Sequence, residues 1–232
     1  MSVGNRVYLK KPMAAQELLN GFEHTPCANV ADTMGRLASM HPRIQLLSKP
    51  EKAITAGRAV TIKCRAGDNL MLHKALNMIE PGDVLIVSND GGEGYRSLTG
   101  EIMFTYAMAK GAAGMIIDGP IRDLDMVREC KMPIYATGAN PGGPYKDGNG
   151  EINTPISCGG ISVNPGDVVV MDTDGVVIVP LRDAEEILEA AIAYHEQDAA
   201  KLVAAANGTS KRDWVEKTLE KIGTEIIDDY YM

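Results

Sequence analysis

Aromatic side chains are scarce in this chain. Phe occurs twice and Trp once, and all aromatics together make up 5% of 232 residues. A core must therefore come from Val, Ile, Leu, Met and Ala, and the 24 glycines point to many tight turns. A basic excess is also missing: 23 Lys and Arg stand against 31 Asp and Glu, for a net charge of −8. Nucleic-acid binding needs a basic face that neutralises phosphates, so that class is excluded as an expectation. A small anionic substrate remains possible, provided that a local cationic pocket receives it. The four cysteines (Cys27, Cys64, Cys130 and Cys158) form no CxxC pair. They read as buried thiols of a reducing compartment, with no zinc site. No apolar run approaches the length of a membrane span, and MSVGNRVYLKKP is too polar for a signal peptide. A cytoplasmic protein without membrane contact is expected, as a single domain over residues 1–232.

What is present centres on Gly100 to Asp125, GEIMFTYAMAKGAAGMIIDGPIRDLD. Thr99 is a candidate helix cap and Gly111 a candidate stop, with Met103, Tyr106, Ala107 and Lys110 on one face. Gly114 to Ile117 is a short apolar run of the kind buried on both faces of a parallel sheet. Gly119-Pro120 is expected to break that strand. Arg122-Asp123 then follows at the carboxyl end, where open α/β sheets bind ligands. Backbone N–H groups at Glu101, Ile102 and Met103 favour an anion. Arg122 offers a planar fork for a carboxylate. Asp123 offers a hard oxygen for Mg²⁺ or Mn²⁺. An α-keto acid on a metal would use all three. Arg-Asp recurs as Arg182-Asp183 and Arg212-Asp213 at helix starts, so its placement carries the signal rather than the dipeptide itself.

The remaining chain reads as follows. Short helices are expected over Met13 to Phe22 and Asn29 to Gly35, the second with Val30, Met34 and Leu37 inward and with Asp32 and Arg36 at the surface or as caps. Ile54 to Lys63 alternates as a strand, and Leu70 to Asn77 is a helix burying Leu72, Ala75 and Leu76. Pro81-Gly82-Asp83 is a type II turn signal, repeated at Pro165-Gly166-Asp167. Val84 to Val87 is a buried strand. The Gly-rich loop Asn89 to Tyr95 lacks nucleotide-binding spacing and suits a loop over a substrate. With a helix at Leu124 to Cys130 and a strand at Pro133 to Ala136, Val84 to Ala136 makes a parallel β-α-β-α-β unit. Gly138 to Gly160 is a long Gly/Pro/Asn-rich segment, of a length that is usually functional or interfacial, in which Ile152 to Cys158 has strand character. Val168 to Met171 and Val176 to Val179 form a hairpin. Asp183 to Glu186 is a capping box opening a helix to about Ala206, and Ser210 to Ile222 is a last helix. Ile187, Leu188, Ala191, Ile192, Leu202, Trp214, Leu219 and Ile222 give these helices apolar faces suited to another subunit.

The segments AGDNLMLHKAL, GEIMFTYAMAKGAAGMIIDGPIRDLD and SCGGISVNPGDVVVMDTDGVVIVP, with the Pro-Gly-Asp turns, resemble the class II pyruvate aldolases. Those enzymes cleave 4-hydroxy-4-methyl-2-oxoglutarate and 4-carboxy-4-hydroxy-2-oxoadipate, and their superfamily includes the regulator of ribonuclease activity A. The resemblance covers about residues 25 to 205. The family signature is an acid or Gly, twenty residues, Arg-Asp, two residues and an acid; here Glu101 stands twenty residues before Arg122-Asp123. By resemblance, Asp123 holds a divalent cation (Mg²⁺ or Mn²⁺), Arg122 holds the substrate, and Gly100, Glu101, Ile102 and Met103 line the carboxylate site. The chain departs from the signature at Met126, where an acid is expected. The family also supplies a glutamate from a neighbouring subunit, for which Glu196 is the candidate. The implied fold is a layered α/β/β/α sandwich of the swivelling β/β/α type. Its core spans about 25 to 180, with C-terminal helices over about 183 to 223 packing on a neighbour. The implied assembly is a homotrimer or homohexamer.

Three function classes follow. The first is a metal-dependent lyase with Arg122, Asp123 and Glu101 as its catalytic group, which releases pyruvate from 4-hydroxy-2-oxo acids and from oxaloacetate. The second is a non-catalytic regulator that binds a protein. The third is a phosphocarrier using His73, with Lys74 beside it inviting a Schiff base. No partner motif accompanies either residue, so a partly buried His and a solvated Lys are the plain reading.

Overall fold

The computed structural model describes residues 2–92 and 94–231. Glu93, in the Gly-rich loop singled out above, lies outside the described residues. The chain divides into two compact units, one ending at Ile192 and one beginning at Ala193.

The first unit runs β1 (Arg6–Val7), α1 (Gln16–Phe22), α2 (Cys27–Thr33), β2 (Gln45–Leu46), β3 (Thr55–Cys64), α3 (Leu70–Leu76), β4 (Asp83–Ser88) and α4 (Glu101–Ala109). It continues with β5 (Gly114–Ile121), α5 (Leu124–Glu129), β6 (Ile134–Ala139), β7 (Gly150–Ile152), β8 (Ile156–Cys158) and β9 (Ile161–Val163). Then come β10 (Val168–Asp172), β11 (Gly175–Val179), a 3₁₀ turn (Leu181–Asp183) and the start of α6 (Ala184–Ala206). The second unit holds the rest of α6 and α7 (Asp213–Lys221), on which Trp214 is exposed.

Strands β3, β4, β5 and β6 are neighbours and parallel, each linked to the next by one helix. The expected unit from β4 to β6 is therefore present, with β3 as a further parallel member. Strand β3 is shared along its length: Thr55 to Arg58 pairs antiparallel with β10, and Ile62 to Cys64 pairs antiparallel with β7. Strand period explains why these runs are apolar throughout. Leu85, Val87, Met115 and Ile117 point to one face, with Leu72 of α3, Phe104 of α4 and Val127 of α5. Val84, Ile86, Ile116 and Tyr135 point to the other, against Ile156 of β8, Val163 of β9 and Met171 of β10. On their outer side β10 and β11 present Val168, Val170, Val177 and Val179 to Phe22 of α1, Val30 of α2 and Ala191 of α6. The result is the layered α/β/β/α arrangement. With so few aromatics, each buried Ile, Leu or Val contributes about 1.5–3 kcal/mol and none dominates.

Local signals explain several boundaries. Gly111, at φ +82°, ends α4, with Gly111 N–H donating to Met108 O and Ala112 N–H to Ala107 O. That is a Schellman stop, which a side chain would strain. Both Pro-Gly-Asp turns form as expected, with Gly82 at φ +88° and Gly166 at φ +84°. In each, the Asp carboxylate accepts from the backbone N–H three residues earlier, Glu80 or Asn164.

Other expectations are corrected. Gly119-Pro120 does not end β5, which runs to Ile121 with a register shift against β6 between Ile117 and Pro120. Pro120 stays in the strand, pairing with Gly138 where the shifted register resumes, and a proline is tolerated at such an irregularity. Thr99 does not cap α4; Gly100 is the N-cap. Leu37 is exposed rather than inward, because the chain turns left-handed at Gly35 and Arg36. The 138–160 segment contains the end of β6, β7 and all of β8, so much of it belongs to sheets.

Candidate active site

The carboxyl ends of β3, β4, β5 and β6 all open on one side of the parallel sheet, and each sends a loop to the same cleft of about 280 Å³. After β3 come Asn69 and His73. After β4 come Thr99 and Gly100, with Ile102 and Met103 on the first turn of α4. After β5 comes Arg122, and after β6 come Gly143, Pro144 and Lys146. This convergence is where an open α/β sheet binds ligands.

The loops are tied to one another. Leu98 N–H donates to Pro120 O, and Arg122 N–H to Thr99 O at 3.1 Å, so the segment before α4 lies along the end of β5. Ser97 donates to Gly142 O through both its backbone N–H and its hydroxyl. The Arg96 guanidinium donates to Gly143 O and the Tyr145 hydroxyl, and sits 4.1 Å from the Tyr145 ring centroid. Asp68 accepts from the backbone N–H groups of Leu70, Asp147 and Gly148. Burial works to raise its carboxyl pKa, but those three donors together with Arg65 overcome it, and the pKa falls below the ordinary value.

Asp123 follows β5 directly, in the left-handed region at φ +64° and ψ +45°. A short Asp tolerates that conformation where a larger side chain would not. Its Oδ2 accepts from Glu101 N–H at 2.9 Å, so a carboxylate remote in sequence takes the first orphan donor of α4. The Arg122 Nε lies 3.6 Å from the same oxygen. An added Cβ at Gly100 would collide with Asp123 Oδ2 and stand 2.8 Å from Arg122 Cγ. On the far side, a Cβ at Gly143 would meet Arg122 Nη1 at 3.4 Å. Arg122 therefore lies between two glycines, and bulk at Gly100 would displace both charged side chains.

The predicted residues sort as follows. Gly100, Ile102, Met103 and Arg122 line the cleft, and Asp123 is held against Gly100. Glu101 contributes its backbone N–H to Asp123, while its exposed side chain is not part of the cleft wall. Met103 N–H is already donated to Gly100 O, so the helix start is less open than a bare N-terminus. Glu196 lies on α6 in the second unit. Met126 of α5, where the signature expects an acid, packs partly buried against the core on the sheet face that α3, α4 and α5 cover.

Sequence reasoning passed over Asn69, Thr99 and Lys146. Asn69 is 2% exposed, its amide donating to Leu98 O at 2.8 Å and aligned on Met103 Sδ at 3.5 Å. Among the described residues, its Oδ1 and the hydroxyl of Thr99, itself 2% exposed, have no hydrogen-bond partner. Lys146 is exposed and makes no ion pair among the described residues. Burial, and secondarily the Lys146 charge, push the His73 pKa down, which keeps the imidazole neutral at pH 7. The signals available were the strand-end position of Asn69 and the Gly/Pro-rich segment carrying Lys146. Asp32 and Arg36 form an i,i+4 pair at 2.8 Å, in keeping with a surface role. All four cysteines are buried and free. No helix is long and apolar enough to cross a membrane, among the described residues.

Comparison with known proteins adds three findings. Residues 27–178 match the family model described as RraA-like, Aldolase/RraA. A protein of Halalkalibacterium halodurans named "Putative 4-hydroxy-4-methyl-2-oxoglutarate aldolase" is 31% identical over 204 residues, covering 88% of this chain and 96% of that one. Among solved structures, an uncharacterized Pseudomonas syringae protein superposes with a TM-score of 0.74 at 26% identity, over 86% of this chain and 96% of its own. Streptomyces coelicolor RraAS2, described as an unusual member of the RNase ES inhibitor RraA family, gives 0.71 at 28%, over 82% and 98%.

Proposed function

The chain belongs to the RraA-like family, Aldolase/RraA, and from that premise we propose that it is a divalent-metal-dependent carbon–carbon lyase. It cleaves 4-hydroxy-2-oxo diacids of the 4-hydroxy-4-methyl-2-oxoglutarate type to pyruvate and a second keto acid, with decarboxylation of oxaloacetate as a companion activity. The observation that carries this reading is the meeting of Arg122 and Asp123 with the first turn of α4, in a cleft fed by four parallel strands.

The donor set suits a Mg²⁺-like ion. Asp123 is part exposed; its Oδ2 is engaged by Glu101 N–H, and Oδ1 takes no hydrogen bond among the described residues. No group of three or more His, Cys, Asp or Glu side chains stands together among the described residues. A hard cation that keeps several waters and takes one or two carboxylates fits such a site; zinc, with its four N or S ligands, does not. Glu196 of a second copy is the candidate for a further carboxylate in a homotrimer or homohexamer. When bound, the cation stabilises negative charge on the substrate oxygen as a Lewis acid.

The residues of this chain supply the rest. Arg122 binds the pyruvyl carboxylate through its guanidinium fork, held in orientation by the glycines on either side. Cleavage of the C3–C4 bond leaves its electron pair as the enolate of pyruvate, whose charge the same cationic corner receives. The C4 hydroxyl proton leaves as that bond breaks; Glu101, on the first turn of α4, accepts it through water. Oxaloacetate needs no such base, because carbon dioxide departs.

The test is pyruvate release from 4-hydroxy-4-methyl-2-oxoglutarate and oxaloacetate with Mg²⁺ or Mn²⁺, with a chelator, and in Asp123→Asn. Metal-dependent release that disappears in the variant is expected; no release by folded, metal-supplied protein overturns the proposal. A second reading, a regulator that binds a ribonuclease, draws on the description of the Streptomyces coelicolor relative. Inhibition of a purified endoribonuclease without any lyase activity would favour it.

A further inference from the structure

The two ends of the chain carry opposite charge, and each leaves a surface uncovered. Residues 1–12 hold Arg6, Lys10 and Lys11 and no acid, whereas residues 224–232 hold Glu225, Asp228 and Asp229 and no base. The N-terminal segment is built into the first unit. Lys11 Nζ pairs with the buried Asp83 at 3.0 Å, and Arg6 Nε with Glu151 Oε1 at 2.7 Å. Lys10 is exposed and makes no ion pair among the described residues. Strand β1 ends the strand order of the large sheet. Tyr8 N–H donates to Ile152 O of β7, so strand alternation turns the N–H and C=O of Val7 to the open edge. The same segment lines a groove of about 540 Å³, walled by Tyr8, Pro12, Pro155 and Pro165 and flanked by the cations Arg6 and Lys10. Rigid apolar walls with charge beside them suit a tyrosine, whose ring is apolar and whose hydroxyl stays wet.

The C-terminal tail has the matching chemistry. Among the described residues of the second unit no side chain is buried, and Ile226, Ile227, Tyr230 and Tyr231 are each 67% exposed or more. TEIIDDYY combines β-branched and aromatic residues, which favour an extended, paired strand, with three carboxylates. We propose that residues 224–231 of one copy dock on the N-terminal segment of a second copy. The tail adds along the open edge of β1, Tyr230 enters the proline-walled groove, and Asp228 and Asp229 face Lys10 and Arg6. Edge addition supplies main-chain hydrogen bonds, and the groove and the charges supply selectivity. Two copies that each carry a net charge of −8 repel at long range, so their association needs local complementarity of this kind. The inference is independent of the lyase reading and specifies which surfaces of two copies meet.

The test is sedimentation velocity with hydrogen exchange on the full-length chain over a dilution series. The proteins are the native chain, Lys10→Glu, the pair Asp228→Lys with Asp229→Lys, and the combination of all three. The native chain is expected to associate, with protection at residues 6–8 and 224–231 rising together as it does so. Either charge reversal raises the concentration of half-dissociation about tenfold or more, and the combination recovers most of that loss. All three positions are exposed, so the reversals leave the fold of the single chain unchanged. A chain that stays monomeric, tail protection that does not change on dilution, or assembly in which both segments stay unprotected overturns the proposal. So does a combined variant that associates no better than the single reversals.

Discussion

The carboxylate of Asp123 fills the space that a side chain at Gly100 would occupy, although the two residues lie on loops after different strands. The contact makes residue 100 a gauge of the site. Gly100→Ala must push Asp123 and Arg122 outward, because its Cβ would stand 2.8 Å from Arg122 Cγ. A displacement on the order of 1 Å costs about a hundredfold in a positioned reaction. Pyruvate release by Gly100→Ala is therefore expected to fall by about that factor, with circular dichroism unchanged. Near-native turnover would show that the pair does not need its present position.

Asp123 has two separable duties. Its carboxylate closes the first N–H of α4, and its charge is available to a cation. Asp123→Asn keeps an acceptor oxygen and tolerates φ +64°, so stability should change by less than about 1 kcal/mol while metal-dependent turnover is lost. Asp123→Ala removes the acceptor and strains the left-handed backbone, and should lose about 1–3 kcal/mol in denaturant titration as well. Equal stability of the two variants would count against the capping role.

Arg96 braces the cleft from outside. It joins the loop after β4 to Gly143 and Tyr145 of the loop that carries Lys146. Arg96→Ala should loosen that loop and raise KM for the diacid several-fold, while costing only about 1 kcal/mol of global stability. Hydrogen exchange at residues 143–148 should rise in parallel; unchanged protection there would remove the brace.

Acid should act on the same loop through Asp68. Its folded pKa lies below its unfolded value, so its hydrogen bonds contribute fully above the unfolded pKa of about 3.9. That contribution is lost as pH falls below this value and through the folded pKa. The melting temperature should thus fall steeply below about pH 4, and Asp68→Asn should flatten that slope while leaving neutral-pH stability lower. An unchanged slope in the variant would assign acid sensitivity elsewhere.

Much of this was legible in the residues. The strands over Ile54 to Lys63 and Val84 to Val87, the parallel unit through Ala136, both Pro-Gly-Asp turns and the Gly111 stop rest on local chemistry, and each stands in the structure. The spacing from Glu101 to Arg122-Asp123 brought the right segments together, for the reason that α4 and β5 are consecutive and antiparallel in space. What stayed hidden depends on partners distant in the chain. Pro120 looks like a strand breaker until the irregular pairing of β5 with β6 is seen. Thr99 looks like a cap until Asp123 is found doing that work. Asn69 looks like a turn residue until its amide proves to be spent on Leu98 and Met103.

The sharing of β3 among three neighbours also sets an order of assembly. Its pairing with β4 links nearby segments, but its other edge waits for β7 at one end and β10 at the other, both synthesised about ninety residues or more later. Until they arrive, a nascent chain exposes an apolar strand edge competent to pair with any other copy. Refolding should accordingly be slow and concentration-sensitive, and the ribosome-bound chain is at its most vulnerable just before residue 168 emerges.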